Sequence, residues 1–178
     1  SCAVKSVNGA DVTTIDGRGT HRCVKMDGVV YSVLDGFTLT NGVTPNGDTL
    51  GDKAGGGILL REYAVAQNCV IRGNRGQYGG GAACYNSQFR YEAGTISNCV
   101  IEGNFADSYY GGGVRLAYGG YVTHSLIRNN EGYGSAGGVY FEGLGGYMEN
   151  SLIAGNVATA YLGGVTYATG GGVEFYGG

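Results

Sequence analysis

One phrase recurs along this chain. Asn68-Cys69-Val70-Ile71-Arg72-Gly73-Asn74 returns as Asn98-Cys99-Val100-Ile101-Glu102-Gly103-Asn104, as His124-Ser125-Leu126-Ile127-Arg128-Asn129-Asn130, and as Asn150-Ser151-Leu152-Ile153-Ala154-Gly155-Asn156. The copies start at 68, 98, 124 and 150, at steps of 30, 26 and 26 residues. A second anchor interleaves with the first: Gly56-Gly57-Ile58, Gly80-Gly81-Ala82, Gly112-Gly113-Val114, Gly137-Gly138-Val139 and Gly163-Gly164-Val165. Two anchors alternating in fixed order at matching periods mean one supersecondary unit stacked on copies of itself.

Inside each unit the side chains alternate with period two rather than 3.6. In Cys99-Val100-Ile101-Glu102, residues 99 and 101 share a face. Val114-Arg115-Leu116 and Val139-Tyr140-Phe141 place their outer residues on one face and the middle residue on the other. Gly or Asn, which tolerate positive φ, bound every run, and no stretch carries the caps and spacing of a helix. Three short strands and three turns in about 25 residues describe one coil of a parallel β-helix, an all-β single-stranded solenoid. About seven coils are expected, at the hydrogen-bonded strand spacing of about 4.8 Å. The expected inward columns are Ile58/Ala82/Val114/Val139/Val165 and Ile71/Ile101/Ile127/Ile153, and stability is then largely a nearest-neighbour affair between coils. A single Pro among 178 residues suits continuous ladders, and the regular apolar columns distinguish the 38 Gly from low complexity.

One solenoid domain over 1–178 is expected, with irregular opening coils over 1–54 and regular repeats over 55–178 that end in an incomplete coil. Val12 to Gly17 and Leu34 to Gly42 read as strands ending in turns. Tyr85 to Glu92 is surplus to the period and should protrude as a loop, and the polar stretch Val43 to Ala54, with its Pro45, also interrupts the rhythm. At the far end the register places Val173 opposite Tyr147, and a further Asn-x-x-Ile phrase should follow.

Gly-Gly-Gly-Ile at 55–58, Gly-Gly-Gly-Val at 111–114 and Asn-Cys-Val-Ile at 68–71 and 98–101 carry a resemblance. The chain resembles the right-handed parallel β-helix proteins of the pectate-lyase-like superfamily, and more narrowly the repeat-rich surface and secreted proteins of bacteria. Asp35 to Gly42 is similar to the opening coils of such proteins. The Gly-Gly-Ala-Ile repeats of polymorphic outer-membrane autotransporters are similar too, although their companion Phe-x-x-Asn motif is missing here. The resemblance implies a right-handed coil and a secreted or cell-surface location. It implies no activity, because that superfamily mixes enzymes with adhesins and filaments.

Its carbohydrate-active members need clustered acids, as Ca²⁺ ligands beside a basic proton acceptor or as paired carboxylates. The 14 acidic residues here are scattered. Arg72, Glu102 and Arg128 share one outward column, which reads as an ion-pair ladder along the rod. Asn46, Asp48 and Asp52 offer oxygens without the spacing of a Ca²⁺ loop. Of five cysteines, Cys69 and Cys99 stack in one inward column continued by Ser125 and Ser151, and are expected as buried thiols. Cys2, near the terminus, is the candidate for an intermolecular bond. His21 and His124 stand alone, the latter in a turn column with Asn68, Asn98 and Asn150. The columns Asn74/Asn104/Asn130/Asn156 and Asn68/Asn98/Asn150 read as amide ladders. No catalytic residue, metal site or cofactor is assigned.

Tyrosine is the surface feature in excess, 15 against 5 Phe. Tyr78, Tyr110 and Tyr161 precede Gly-Gly turns, with Tyr109, Tyr133 and Tyr140 near that side, and Tyr121 and Tyr147 follow a second series of Gly-Gly turns. With Phe89 and Tyr91 on the surplus loop, Tyr78, Tyr110, Tyr121, Tyr147 and Tyr161 form the candidate binding set, suited to protein or glycan contact. A net charge of −3 without a Lys/Arg cluster excludes nucleic acid, and no apolar run reaches the length of a membrane span. No signal peptide is visible at Ser1, and the few Thr do not form the regular array an ice-binding face needs. The expected role is an extracytoplasmic structural or adhesive solenoid, a rod segment or a filament subunit stacking end to end. The alternative is a polysaccharide lyase or hydrolase fragment, or a non-catalytic glycan-binding module.

Overall fold

The computed structural model describes the chain except for residues 29, 48, 50, 87–92, 109, 144–145, 161–169 and 178. All its described secondary structure is β, wound into a parallel solenoid of about five turns. The first sheet stacks Cys2–Lys5, Ser32–Asp35, Ala64–Gln67, Thr95–Ser97, Tyr121–Thr123 and Tyr147–Glu149. The second stacks Thr14–Asp16, Thr38–Thr40, Val70–Arg72, Val100–Glu102, Leu126–Arg128 and Leu152–Ala154. The third stacks Val24–Met26, Ile58–Leu60, Ala82–Tyr85, Val114–Ala117, Val139–Glu142 and Val173–Tyr176. Every pairing is parallel, and each strand pairs with its counterpart one coil away, which is the expected fold.

Three expectations need correction. A fourth, four-stranded sheet lies between the second and third, built from Arg75–Gly76, Phe105–Ala106, Glu131–Tyr133 and Val157–Thr159. The coil therefore has up to four strands, and the described residues make about five turns, with six strands in each of the first three sheets, rather than seven coils. The period is also looser than 25 residues: Ile58 to Ala82 takes 24, while Val24 to Ile58 and Val139 to Val173 take 34. Strand lengths barely change, so the turns absorb the difference.

The last rung differs as well. Val139 pairs with Val173, and Tyr147 pairs with Tyr121, so Val173 belongs to the third sheet and not opposite Tyr147. The amides of Gly137, Gly138 and Val139 donate to the carbonyls of Gly170, Gly171 and Gly172. The unit that repeats is thus three small residues before the apolar one, seen at 55–58, 79–82 and 111–114 and again at 170–173. Gly163-Gly164-Val165 imitates it two-thirds of the way and lies outside the described residues.

The glycines have a steric cause. A Cβ on Gly112 would lie 2.3 Å from the backbone oxygen of Glu131 in the fourth sheet, and one on Gly80 would lie 2.3 Å from that of Phe105. Neither neighbour is a side chain that can swing away. Gly112→Ala should cost about 1–3 kcal/mol of overpacking in urea denaturation. An unchanged midpoint would mean that the fourth sheet is not held against this turn.

The core is a column of stacked like residues. Leu39, Ile71, Ile101 and Ile127 of the second sheet, Ile96 and Val122 of the first, and Ile58, Ala82, Val114 and Val139 of the third are completely buried. Two polar ladders run beside them. The Asn104 Oδ1 accepts from the Asn74 backbone N–H and Nδ2, both at 3.0 Å. Asn130 serves Asn104 in the same way, and Asn156 serves Asn130. Each Nδ2 also donates to a carbonyl of the neighbouring rung, at Leu39, Ile71, Ile101 and Ile127. In the second ladder the Cys69 amide donates to Cys99 Sγ, the Cys99 amide to Ser125 Oγ, and the Ser125 amide to Ser151 Oγ. Small residues recur there because each must accept an N–H from the rung before.

The turn columns follow the same logic. Asn68, Asn98, His124 and Asn150 all adopt φ near 50°, the left-handed conformation that Asn and His tolerate better than most residues. His124 is a turn residue, its Nδ1 2.7 Å from Thr123 Oγ1. In the opening coils, Leu34 to Gly42 divides into two strands on different sheets, parted by Gly36 at φ 81°.

Candidate functional site

The third sheet should present its outward residues to water, but it does not. Leu59, Ala83, Arg115 and Tyr140 stand in register on the outer side. The first three are completely buried and Tyr140 nearly so. The turn segments entering the sheet fold over it: Ala54 bridges to Tyr78, and Ala54, Tyr78 and Tyr85 pack on Leu59 and Ala83. A small second core therefore lies outside the solenoid wall.

Arg115 is at its centre, with a relative exposure of 0%. Its guanidinium carbon lies 5.3, 5.4 and 5.7 Å from the ring centroids of Tyr78, Tyr110 and Tyr85. Its Nε and Nη2 donate to one oxygen, Glu142 Oε2, at 2.8 and 2.5 Å. Nη1 is buried with no hydrogen-bond partner. A guanidinium enclosed by rings gains cation–π attraction that grows as water is excluded. The rings also contact one another, Tyr78 and Tyr110 tilted with centroids at 5.1 Å, Tyr110 and Tyr140 tilted at 4.7 Å, and Tyr140 and Tyr176 stacked at 6.4 Å. Burial, then the nearby Glu142 carboxylate, pushes the Tyr110 phenol above its usual pKa. Tyr140 is raised too, through burial and then its neighbour Tyr110. Both are pushed toward the neutral form beside the Arg115 guanidinium, and a second guanidinium, Arg61, lies 5.4 Å from the Tyr85 ring centroid.

Tyr110 is also strained. Its φ is 82°, in a region where a bulky side chain costs about 1–3 kcal/mol and persists only if its surroundings enforce it. Such outliers gather at binding and switch sites, and this one touches the buried guanidinium.

The candidate tyrosines fall on two faces. Tyr78 and Tyr110 belong to the cage, while Tyr121 and Tyr147 are register partners on the outer side of the first sheet. Tyr121 donates its hydroxyl to Glu149 Oε1, and that bond holds its phenol pKa up. Tyr147 is 66% exposed. Phe89, Tyr91 and Tyr161 lie outside the described residues. Sequence reasoning missed Arg115 and Glu142 and put Tyr85 in a protruding loop. Tyr85 instead ends the strand Ala82–Tyr85 and packs on the second core, and the rest of that stretch apart from Asn86 lies outside the described residues. A signal existed: Leu59, Ala83 and Tyr140 share the column of Arg115, and so apolar a column is not one that faces water.

The other candidates make contacts within the solenoid. Glu102 pairs with Arg128 at 2.7 Å, and its register neighbour is Arg72. Asp52 caps Thr49. Asp48 lies outside the described residues. The carbonyls of Gly51, Asp52, Ala54 and Gly55 all accept from Arg22. Among the described residues no cluster of three or more His, Cys, Asp or Glu is placed to hold a metal ion. No helix among them is long and apolar enough to cross a membrane.

Comparison of the chain with protein-family models, with curated proteins and with solved structures found no match.

Proposed function

We propose that the chain is a structural or adhesive solenoid that works outside the cytoplasm, as a rod segment of a surface protein or as a filament subunit. The observation that carries this reading is the state of the outermost rungs. Inward-facing Val4 in the first rung is 52% exposed, and inward-facing Phe175 in the last is 75% exposed. A further rung, from a longer chain or from a second copy, would cover them and continue the backbone ladders. The internal ladders support the same reading, because their chemistry serves the contact of one rung with the next. The secreted or cell-surface location rests on the resemblance to pectate-lyase-like and bacterial surface β-helices.

Sedimentation and negative-stain microscopy test the filament form. The chain should associate end to end with rising concentration, and Phe175→Lys, which places a charge on the last rung alone, should keep it single. A monomer at every concentration would remove the filament and leave the rod segment.

A second reading, glycan contact, is favoured by one observation: Tyr121 and Tyr147 stand side by side, one rung apart, on an open sheet face. Tyrosine fluorescence titrated with acidic polysaccharides tests it. Turnover lost in Arg128→Ala or Glu102→Ala would instead establish the lyase or hydrolase alternative.

A further inference from the structure

The small-residue ladder contains two adjacent thiols. Cys69 and Cys99 immediately precede the register partners Val70 and Val100, and the Val100 amide donates to the Cys69 carbonyl at 2.9 Å. Strand spacing sets their Cα atoms about 4.8 Å apart, within the roughly 4.4–6.8 Å over which a disulfide can form. Both side chains turn to the same interior side, and both are free, at 1% and 2% exposure.

Their surroundings differ. The Cys69 thiol pKa is lowered to about 7, chiefly by the neighbouring Cys99 thiol and then, against the effect of burial, by the backbone at Phe37 and Gly36. Cys99 is held as the thiol, by Cys69 and by burial. Cys69 also borders an open groove of about 510 Å³ between the Ser6–Asp11 segment and the Asn68 and Asn98 turns. Cys84, enclosed in the core, has its thiol pushed up to about 12 by burial and meets neither condition.

We propose that Cys69 and Cys99 form a dithiol redox site, Cys69 the attacking thiol and Cys99 the resolving one, with a small peroxide as the oxidant. The Cys69 thiolate attacks one peroxide oxygen and the O–O bond breaks. Cys69 becomes a sulfenic acid and hydroxide leaves. The Cys99 sulfur then attacks the sulfenic sulfur, the S–O bond breaks, the Cys99 proton goes to the departing oxygen, and water leaves behind an S–S bond. Two thiols are oxidised and one peroxide is reduced. To close the bond Cys69 Sγ must swing toward the next rung and give up its 3.1 Å contact with the Gln67 carbonyl. The parallel Cβ directions strain the product, so it is readily reduced: a reversible tie between two rungs.

Hydrogen peroxide added to the reduced protein, followed by proteolysis and mass spectrometry, is the test. The expected product is a Cys69–Cys99 linked peptide that dithiothreitol dissolves, with Cys84 unmodified. In Cys99→Ser, dimedone should trap a sulfenic acid at Cys69. In Cys69→Ser, Cys99 should stay unlabelled at the same dose. Both variants place serine where Ser125 and Ser151 already serve the ladder, so the column is preserved. Absence of the linked peptide in the wild-type protein overturns the proposal without recourse to any variant. Equal labelling of the two cysteines overturns the division of roles.

Discussion

Asn104→Leu should lower stability by about 4–6 kcal/mol, because several buried partners lose their hydrogen bonds at once and each orphaned group costs about 1–3 kcal/mol. The Asn74 amide and Nδ2 lose their acceptor, and the Ile71 carbonyl loses its donor. Asn130 Oδ1 keeps only the bond from the backbone of residue 104. Leucine is close in size, so the loss reads out polar satisfaction and not volume. Asn98→Gly, six residues earlier in the same phrase, is the control. Asn98 is exposed, makes one side-chain bond to Asn68, and holds φ 50°, which Gly adopts freely. Its cost should stay below about 1 kcal/mol. Urea denaturation of the two variants decides the matter, and equal midpoints would refute an inner ladder that differs from the outer one.

That contrast was half legible in the sequence. Position in the period placed Asn104 over Asn74 and Asn98 over Asn68, and it placed Cys69 under Cys99, because a repeat states vertical neighbours directly. It did not state which Asn column points inward. Nor did it reveal the fourth sheet, whose Arg75–Gly76 and Phe105–Ala106 strands are two residues long and too short for alternation to register. Val165 was placed in a column that belongs to Val173 because two glycines were counted where the geometry needs three small residues. Alternation places Arg115 on the outer side, where it is, but reports only the side of a strand and not what a distant turn lays over it. The tyrosines were visible as an excess, but their division between the cage and the open first sheet depends on that covering layer.

Glu142→Ala should be the second severe substitution, at about 3–5 kcal/mol, because it strips the counter-charge from a buried guanidinium. Arg115 has no exposed atom surface to fall back on, and its Nη1 already lacks a hydrogen-bond partner. The reverse change should be milder. Arg115→Met leaves Glu142 with 14% of its side chain still in contact with water, and methionine keeps a polarizable contact with Tyr78, Tyr85 and Tyr110. The double variant should therefore be more stable than Glu142→Ala alone, since the second change removes the charge that the first one stranded. A double-mutant cycle in urea measures this coupling. Additive losses would mean that solvent reaches the guanidinium and that the cage is open. The order Glu142→Ala worst, double variant intermediate and Arg115→Met mildest identifies a sealed cage held by one carboxylate, and makes Glu142 the residue whose loss would release the strained Tyr110 turn.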